Sequence, residues 1–332
     1  MSKKILIVGG AGYIGSHMTL FLSQNNYQVV VIDNLSTGFS ESIIGADFIY
    51  GDIGDKYFLK KVFKNHEFDA VMHFAAFSQV GESIANPSKY YKNNVSKTLI
   101  LLDEMVKHNV QNFIFSSTAA TYGNPNSEMI DESHPQNPIN PYGMSKLMVE
   151  NILKDYNKTY GLKSISLRYF NACGADPKSR IGELHNPETH LIPIILQTAS
   201  GRRNSFEIYG DQYDTNDGTC IRDYIHVLDL CDAHEKALNL IMSSAESKIL
   251  FLNLGLGKGF SVMDVLESAK KVVFSDGKSI KYKISKNREG DPARLVADPS
   301  CAMKTLNWKP KFTDLDEIIY HAWKWEKKQN TK

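Results

Sequence analysis

Hydrophobic positions along the first 170 residues follow two alternating rhythms. Short continuous apolar runs at 4–8 and Val29–Ile32 read as strands buried on both faces. Further candidates follow at Asp47–Tyr50, Ala70–Phe74, Asn112–Phe115 and Ser164–Leu167. Between them apolar residues recur at helical spacing, first through Ile14, Met18, Leu20, Phe21 and Leu22, then near 56–65, 88–108 and 143–160. Buried strands alternating with amphipathic helices predict an α/β fold with a parallel sheet covered on both faces. From about residue 171 the alternation breaks down, and loops rich in Gly, Pro, Asp and Asn lengthen at 173–189 and 209–220. A boundary is therefore expected near Phe170. Residues 1–170 would form the sheet domain and 171–332 a smaller mixed α/β lobe that binds the substrate, with 221–241 packing back on the first domain.

The first strand runs into Gly10-Ala11-Gly12-Tyr13-Ile14-Gly15, with Gly9 opening an overlapping frame. Glycines between a strand and a helix let the backbone turn tightly and bring N–H groups to a pyrophosphate at the helix N-terminus. Asp33, at the end of the second strand, has the spacing of a carboxylate that accepts from the adenosine ribose hydroxyls. It would repel a 2′-phosphate. The expectation is a Rossmann-type doubly wound parallel sheet that holds NAD rather than NADP. A second Gly-rich run, Asn253–Gly259, loses the pattern after Gly257 and reads as a structural loop.

Tyr142 and Lys146 follow Asn140-Pro141, a favourable helix start, and share one helical face. Three other Tyr/Lys pairs have the same spacing. Tyr57/Lys61 lies in a Lys-rich helix face, Tyr282/Lys286 in an exposed strand pattern, and Tyr320/Lys324 in the charged C-terminal helix. Tyr142 differs because it lies downstream of a strand ending Ser116-Ser117-Thr118. A nucleotide loop, a hydroxyl-bearing strand and a phenol beside an ammonium together predict redox chemistry on a hydroxyl group. A phenol of pKa ~10 needs about 4 kcal/mol of phenolate stabilisation to titrate near pH 7. One cation at ~4 Å supplies roughly that much at an effective dielectric of ~20. Tyr142 is expected to be ionised before substrate arrives, helped by Lys146 and the nicotinamide charge.

Composition narrows the setting. The 332 residues carry 38 basic and 37 acidic side chains, a formal charge of +1, so no electrostatic footprint for nucleic acid appears. No apolar run approaches the ~18 residues of a membrane span, and strand-like sequence from Lys4 leaves no room for a signal peptide. Cys173, Cys220, Cys231 and Cys301 have neither metal spacing nor a disulfide framework. A soluble, cytoplasmic, metal-free protein is expected.

These residues together resemble the extended short-chain dehydrogenase/reductase family, in its branch acting on nucleotide sugars. The similarity runs from about Ile5 to Trp325. It includes Gly9–Ser16, Asp33-Asn34-Leu35, Gly51-Asp52-Ile53, His73–Ala76, Val80–Ser83, Asn93-Asn94-Val95, Asn112–Ser117, Tyr142–Glu150, Arg168–Asn171, Arg222–Val227 and Arg288–Asp291. The resemblance implies that Gly9, Gly12, Tyr13, Ile14, Gly15, Asp33, Asn34, Asp52 and Ile53 hold the adenosine diphosphate half of NAD. It implies that Phe74, Ala75, Ala76, Ser78, Asn93, Tyr142, Lys146 and Phe170 line the ribose and nicotinamide. Asn171, His190, Leu191, Tyr209, Arg222, Arg288 and Asp291 would hold the UDP-hexose, with Tyr142 and Thr118 at the reacting oxygen. Guanidinium forks suit diphosphate oxygens.

Four positions depart from the best-known bacterial pattern. Ser78 replaces a lysine, Thr118 a serine, His190 an asparagine, and Lys97 a glycine at a helical site expected to be tolerant. The implied reaction inverts carbon 4 of UDP-galactose or UDP-glucose through a transient 4-keto sugar, in galactose metabolism. Tyr142 is the acid/base, Thr118 a hydrogen-bond partner and Lys146 the group that holds the ribose and favours the phenolate. A 4,6-dehydratase would want an acidic pair after the strand threonine, where Ala119-Ala120 stand. A decarboxylase would want further cations, and a non-catalytic NAD-binding regulator could dispense with Tyr142, Lys146 and Thr118. N-acetylated UDP-sugars stay open as substrates, with bulky Leu295 aligned to a gate near the sugar 2-substituent. The family's homodimer, through the helices near 88–108 and 143–160, is also implied.

Overall fold

The structure is a computed structural model describing residues 2–287 and 291–331. The chain begins β1 (Lys4–Val8), α1 (Tyr13–Gln24), β2 (Gln28–Asp33), β3 (Asp47–Tyr50), α2 (Lys56–Asn65) and β4 (Ala70–His73). Next come α3 (Val80–Ala85), α4 (Pro87–Tyr90), a π-helical turn (Tyr91–Ser96), α5 (Lys97–Lys107), β5 (Asn112–Thr118), α6 (Pro141–Tyr160) and β6 (Lys163–Tyr169). The remainder is β7 (Asn171–Cys173), α7 (Leu191–Ser200), β8 (Phe206–Tyr209), β9 (Ile221–His226), α8 (Val227–Ser243), β10 (Ile249–Leu254), β11 (Gly259–Ser261), α9 (Val262–Phe274), β12 (Tyr282–Ser285), β13 (Arg294–Leu295), α10 (Ser300–Leu306) and α11 (Leu315–Asn330).

Seven parallel strands form one sheet in the order β10-β6-β5-β4-β1-β2-β3. The strand period of two divides its side chains between opposite faces. Ile5 and Ile7 of β1 join Val29, Val31 and Met72 beneath Met18 and Leu22 of α1 and Leu230 and Leu238 of α8. Leu6 and Val8 turn to the other face, with Val30 and Ile32, against Leu59, Leu101, Leu102, Val149 and Leu153 of α2, α5 and α6. A third cluster, with Ile195, Phe206, Val265 and Trp323, is the core of the smaller lobe.

The chain returns to the large sheet after Phe170. β10 pairs with β6, with Leu250 opposite Ile165, and α8 packs on the same face as α1. Residues 249–254 therefore depart from the expected contiguous division: β6 would otherwise be an unpaired edge, and β10 covers it. The strands around the expected site are longer than their apolar runs. β5 and β6 stay paired as far as Thr118 opposite Tyr169, because Ser116 and Ser117 continue the ladder. The helix expected over 88–108 has a π-helical turn inside it.

Helix α6 is held against the sheet by a buried ion pair. The Glu150 carboxylate accepts from Arg168 Nε at 3.0 Å and Nη2 at 2.7 Å, and from the Ser117 hydroxyl at 2.6 Å. Arg168 is 3 % exposed and Glu150 is fully buried. Replacing Arg168 with Met leaves Glu150 as an uncompensated buried carboxylate, and we expect a loss of about 3–5 kcal/mol of stability. Urea denaturation measures it; a loss under ~1 kcal/mol would contradict this reading.

Candidate active site

The strand order turns back between β1 and β4, and a ligand crevice belongs at the C-terminal ends of strands beside such a switch point. The chain there carries Gly9 after β1, Phe74 to Ala76 after β4, Thr118 at the end of β5 and Phe170 after β6. Gly9 has φ +84°, and a Cβ on it would lie 2.4 Å from Ala75 N. A Cβ on Gly15 would lie 2.1 Å from Gly9 O. Gly12 differs, since its Cβ would meet nothing closer than 3.5 Å, so the protein's own packing does not demand glycine there. It caps the N-terminus of α1 without a side-chain hydrogen bond, leaving the first-turn N–H groups open to an anion.

Asp33 accepts from Ala11 N at 2.9 Å and Leu35 N at 2.8 Å, which aims its carboxylate at the glycine loop. Burial raises its pKa while these two bonds oppose the shift. Asn34 donates to Asp52 at 2.8 Å, and Lys97 donates to the same carboxylate oxygen at 2.6 Å. Lys97 is thus an ion-pair partner beside the expected adenosine site rather than an idle helical residue. Ile53 is buried and Ser78 exposed. Tyr13 opens α1 and donates to Gly174 O at 2.7 Å, while Ile14 packs on the core.

The Tyr142 phenol lies beside the Thr118 hydroxyl, near enough for that hydroxyl to favour the phenolate. One turn further along α6, Lys146 Nζ donates to Ser116 O at 2.7 Å and lies 4.8 Å from the Phe115 ring centroid. Burial pushes the Tyr142 phenol above its ordinary value, against the Thr118 hydrogen bond, and pushes Lys146 down to about 7, with Glu150 opposing. Lys146 alone therefore does not ionise Tyr142, because desolvation penalises both charges. Tyr57, Tyr282 and Tyr320 of the other Tyr/Lys pairs are 86 %, 40 % and 48 % exposed, whereas Tyr142 is half-buried.

The expected substrate residues come from the smaller lobe and its junction. Asn171 opens β7, opposite Tyr224 of β9. Arg222, on β9, is ion-paired with Asp291 and donates to Ile221 O at 2.8 Å. Arg288 lies outside the described residues. Leu191 begins α7, and Tyr209 ends β8 at 38 % exposure. His190 does not simply face outward: its Nδ1 is bonded to Glu183. Leu295 packs beside Phe170 and Ala119. Asp223 accepts from Leu256 N, Gly257 N and Ala297 N, so the second Gly-rich run is a loop folded around a buried carboxylate.

The family model described as GDP-mannose 4,6 dehydratase matches residues 6–321. A UDP-glucose 4-epimerase of Halalkalibacterium halodurans is 49% identical over 323 residues, covering 97% of this chain and 95% of that protein. The crystal structure of UDP-glucose 4-epimerase from Brucella ovis in complex with NAD superposes with a TM-score of 0.93 at 46% identity, over 97% of this chain and 98% of the other. The UDP-Glc/GlcNAc 4-epimerase of Campylobacter jejuni superposes with a TM-score of 0.84 at 42% identity, over 98% of this chain and 100% of the other. The chain belongs to the UDP-glucose 4-epimerase family of extended short-chain dehydrogenases/reductases.

Within this epimerase fold, several supporting residues were not singled out from sequence. Asn94, buried in the π-helical turn, accepts from Phe77 N and donates to Phe77 O and to the Ser145 hydroxyl, each at 3.0 Å. It links the segment after β4 to the first turns of α6, whereas the expected Asn93 donates to Asn94 at 3.1 Å. The π-helical turn directs Asn94 inward, a distortion that an apolar periodicity does not announce. Glu183, His185, Glu188 and His190 converge before α7, a cluster visible in sequence only as a Glu-x-His-x-x-Glu-x-His spacing.

The Lys146 shift has a signed consequence. Its folded pKa of about 7 lies below the unfolded value of ~10.4, so between those values the unfolded chain holds the extra proton. Its contribution to stability therefore rises with pH from about 7 to about 10. Unfolding free energies across that range should rise more steeply in the wild-type protein than in Lys146→Met. Parallel profiles would contradict the burial of a titrating ammonium.

Proposed function

We propose that this protein interconverts UDP-galactose and UDP-glucose by transient oxidation at carbon 4, making it an NAD-dependent isomerase. The juxtaposition of the Thr118 and Tyr142 hydroxyls, with Lys146 one turn away at the mouth of the nucleotide crevice, carries this reading. The glycine loop fits a bound pyrophosphate, since Gly12 is open where Gly9 and Gly15 are closed by the protein itself. Each Asp33 oxygen keeps a lone pair beyond its backbone bond, which suits two ribose hydroxyls. When bound, NAD supplies the hydride acceptor and donor for carbon 4 and a positive charge that favours the phenolate.

Tyr142 takes the proton of the 4-hydroxyl and later returns it, while Thr118 holds the sugar oxygen and the phenol in one hydrogen-bonded chain. Lys146, tethered to Ser116 O, presents its remaining N–H groups toward the ribose and limits the cost of phenolate formation. Asn171, Leu191, Tyr209, Arg222 and Asp291 would hold the UDP part of the substrate. His190 contributes through its ring face or Nε2, since Nδ1 is bonded to Glu183. Anchoring by the uridine diphosphate leaves the hexose free to present either face. Ala119 and Ala120, following Thr118, provide no carboxylate for the carbon 5 proton removal that a 4,6-dehydratase requires. The partly buried Leu295 beside Phe170 favours sugars without a bulky 2-substituent. A cytoplasmic homodimer pairing through α5 and α6 completes the reading.

Purified protein incubated with UDP-galactose and no added NAD should form UDP-glucose, with little conversion in a parallel tube of UDP-N-acetylgalactosamine. Tyr142→Phe should lower turnover by about 10²–10⁴-fold while nucleotide stays bound. Wild-type turnover in that variant would remove Tyr142 from the chemistry. A 4-keto-6-deoxy product would replace the epimerase with a dehydratase.

A further inference from the structure

Four side chains, of which only His190 also has a part in the proposed substrate site, converge in the loop that leads into α7. The donor atoms of Glu183, His185, Glu188 and His190 all lie within 4.8 Å of one another. His185 Nδ1 is buried and lacks a well-aligned hydrogen bond, although it lies 3.3 Å from Glu183 Oε1 and 3.6 Å from Glu188 Oε1. The His185–Glu183 separation is close to the edge, about 3.4 Å, of a tetrahedron around an ion with ligands at 2.0–2.1 Å. His190 Nδ1 also meets Glu183. Two carboxylates and two imidazoles with their nitrogens turned inward form a mixed N/O donor set suited to a borderline divalent metal ion.

The surroundings orient these ligands. Glu188 Oε1 accepts from Thr189 N at 2.8 Å and His190 N at 3.0 Å, so one carboxylate is pinned by the backbone of its own loop. Trp325 of α11 donates its indole N–H to Glu183 O at 3.0 Å, which fixes the start of the loop against the smaller lobe. The His185 ring stands edge-on to Tyr13, with centroids 6.5 Å apart, at the first residue of α1. The same loop thus touches the nucleotide helix and ends where α7 presents Leu191.

We propose that Glu183, His185, Glu188 and His190 bind one zinc-class divalent cation per chain in a closed, four-ligand site that fixes this loop between the nucleotide helix and the UDP-sugar lobe. All four ligands come from the protein, which marks the site as structural rather than catalytic. In the metal-bound form the imidazoles are neutral and donate lone pairs. In the alternative they are imidazolium ions paired with the two glutamates, as the upward shifts of both histidines indicate for the protein's own groups. The expectation of a metal-free protein rested on the cysteines, and these ligands contain no sulfur.

The site can be tested without any sugar substrate, so its failure is separable from failure of the epimerase reading. Chelator-treated full-length protein is dialysed against zinc chloride, and bound zinc is counted by atomic emission. We expect one ion per chain, with affinity lowered by about 100-fold or more in His185→Gln and in Glu188→Gln, since even outer-shell changes cost 10–100-fold. X-ray absorption at the zinc edge of the wild-type protein should show only nitrogen and oxygen neighbours, including two imidazoles. That spectrum decides the matter even if a variant folds poorly. No stoichiometric binding, equal affinity in both variants, or a sulfur neighbour would overturn the proposal.

Discussion

The docking of α6 on the sheet through Glu150 is the constraint on which the candidate active site depends. Glu150 is gripped by Ser117 of β5 and Arg168 of β6. Tyr142, Lys146 and Glu150 follow one another at four-residue intervals, so fixing Glu150 also fixes the helical face that carries the other two. Lys146 then meets Ser116 O and Tyr142 comes beside Thr118, the two residues flanking Ser117 on the same strand. A turn of slip along α6 would move the phenol about 5.4 Å from its partner. An expensive buried ion pair thereby serves position, which hydrophobic contacts from Val149 and Leu153 alone would specify less sharply.

Enclosure of this pair has an electrostatic cost. Burial raises the Tyr142 phenol and lowers the Lys146 ammonium, so the protein by itself favours the two neutral forms. The nearby His73 is pushed down to about 3 by burial and by the Lys146 charge, and stays neutral. A site of this kind is poised rather than charged. A cationic ligand in the crevice tips the balance toward phenolate, linking nucleotide occupancy to the readiness of the base. Lys97 and Asp52 show the opposite case, an ion pair near the surface beside the expected adenosine site.

Features written into neighbouring residues were legible before the fold was known. The glycine loop and Asp33 follow from backbone sterics and strand spacing, and Tyr142/Lys146 from helical periodicity. Glu150 was visible as a residue of the helix but not as its anchor, because Ser117 and Arg168 lie 33 and 18 positions away. β10 escaped the two-domain division since nothing local tells an apolar run which sheet it will join. Lys97 was judged from helix tolerance, whereas its partner Asp52 lies 45 residues earlier. His190 was read by its place in a substrate motif, and folding turned its Nδ1 toward Glu183.

Oxidation and reduction of carbon 4 in one site, with Tyr142 handling only the hydroxyl proton, fixes where the carbon 4 hydrogen goes. The most direct measurement is the fate of deuterium placed on carbon 4 of UDP-galactose and turned over in ordinary water. The UDP-glucose formed should keep the label on carbon 4 with no exchange into solvent. Loss of the label to water would mean that carbon 4 is deprotonated rather than oxidised, and would contradict that chemistry.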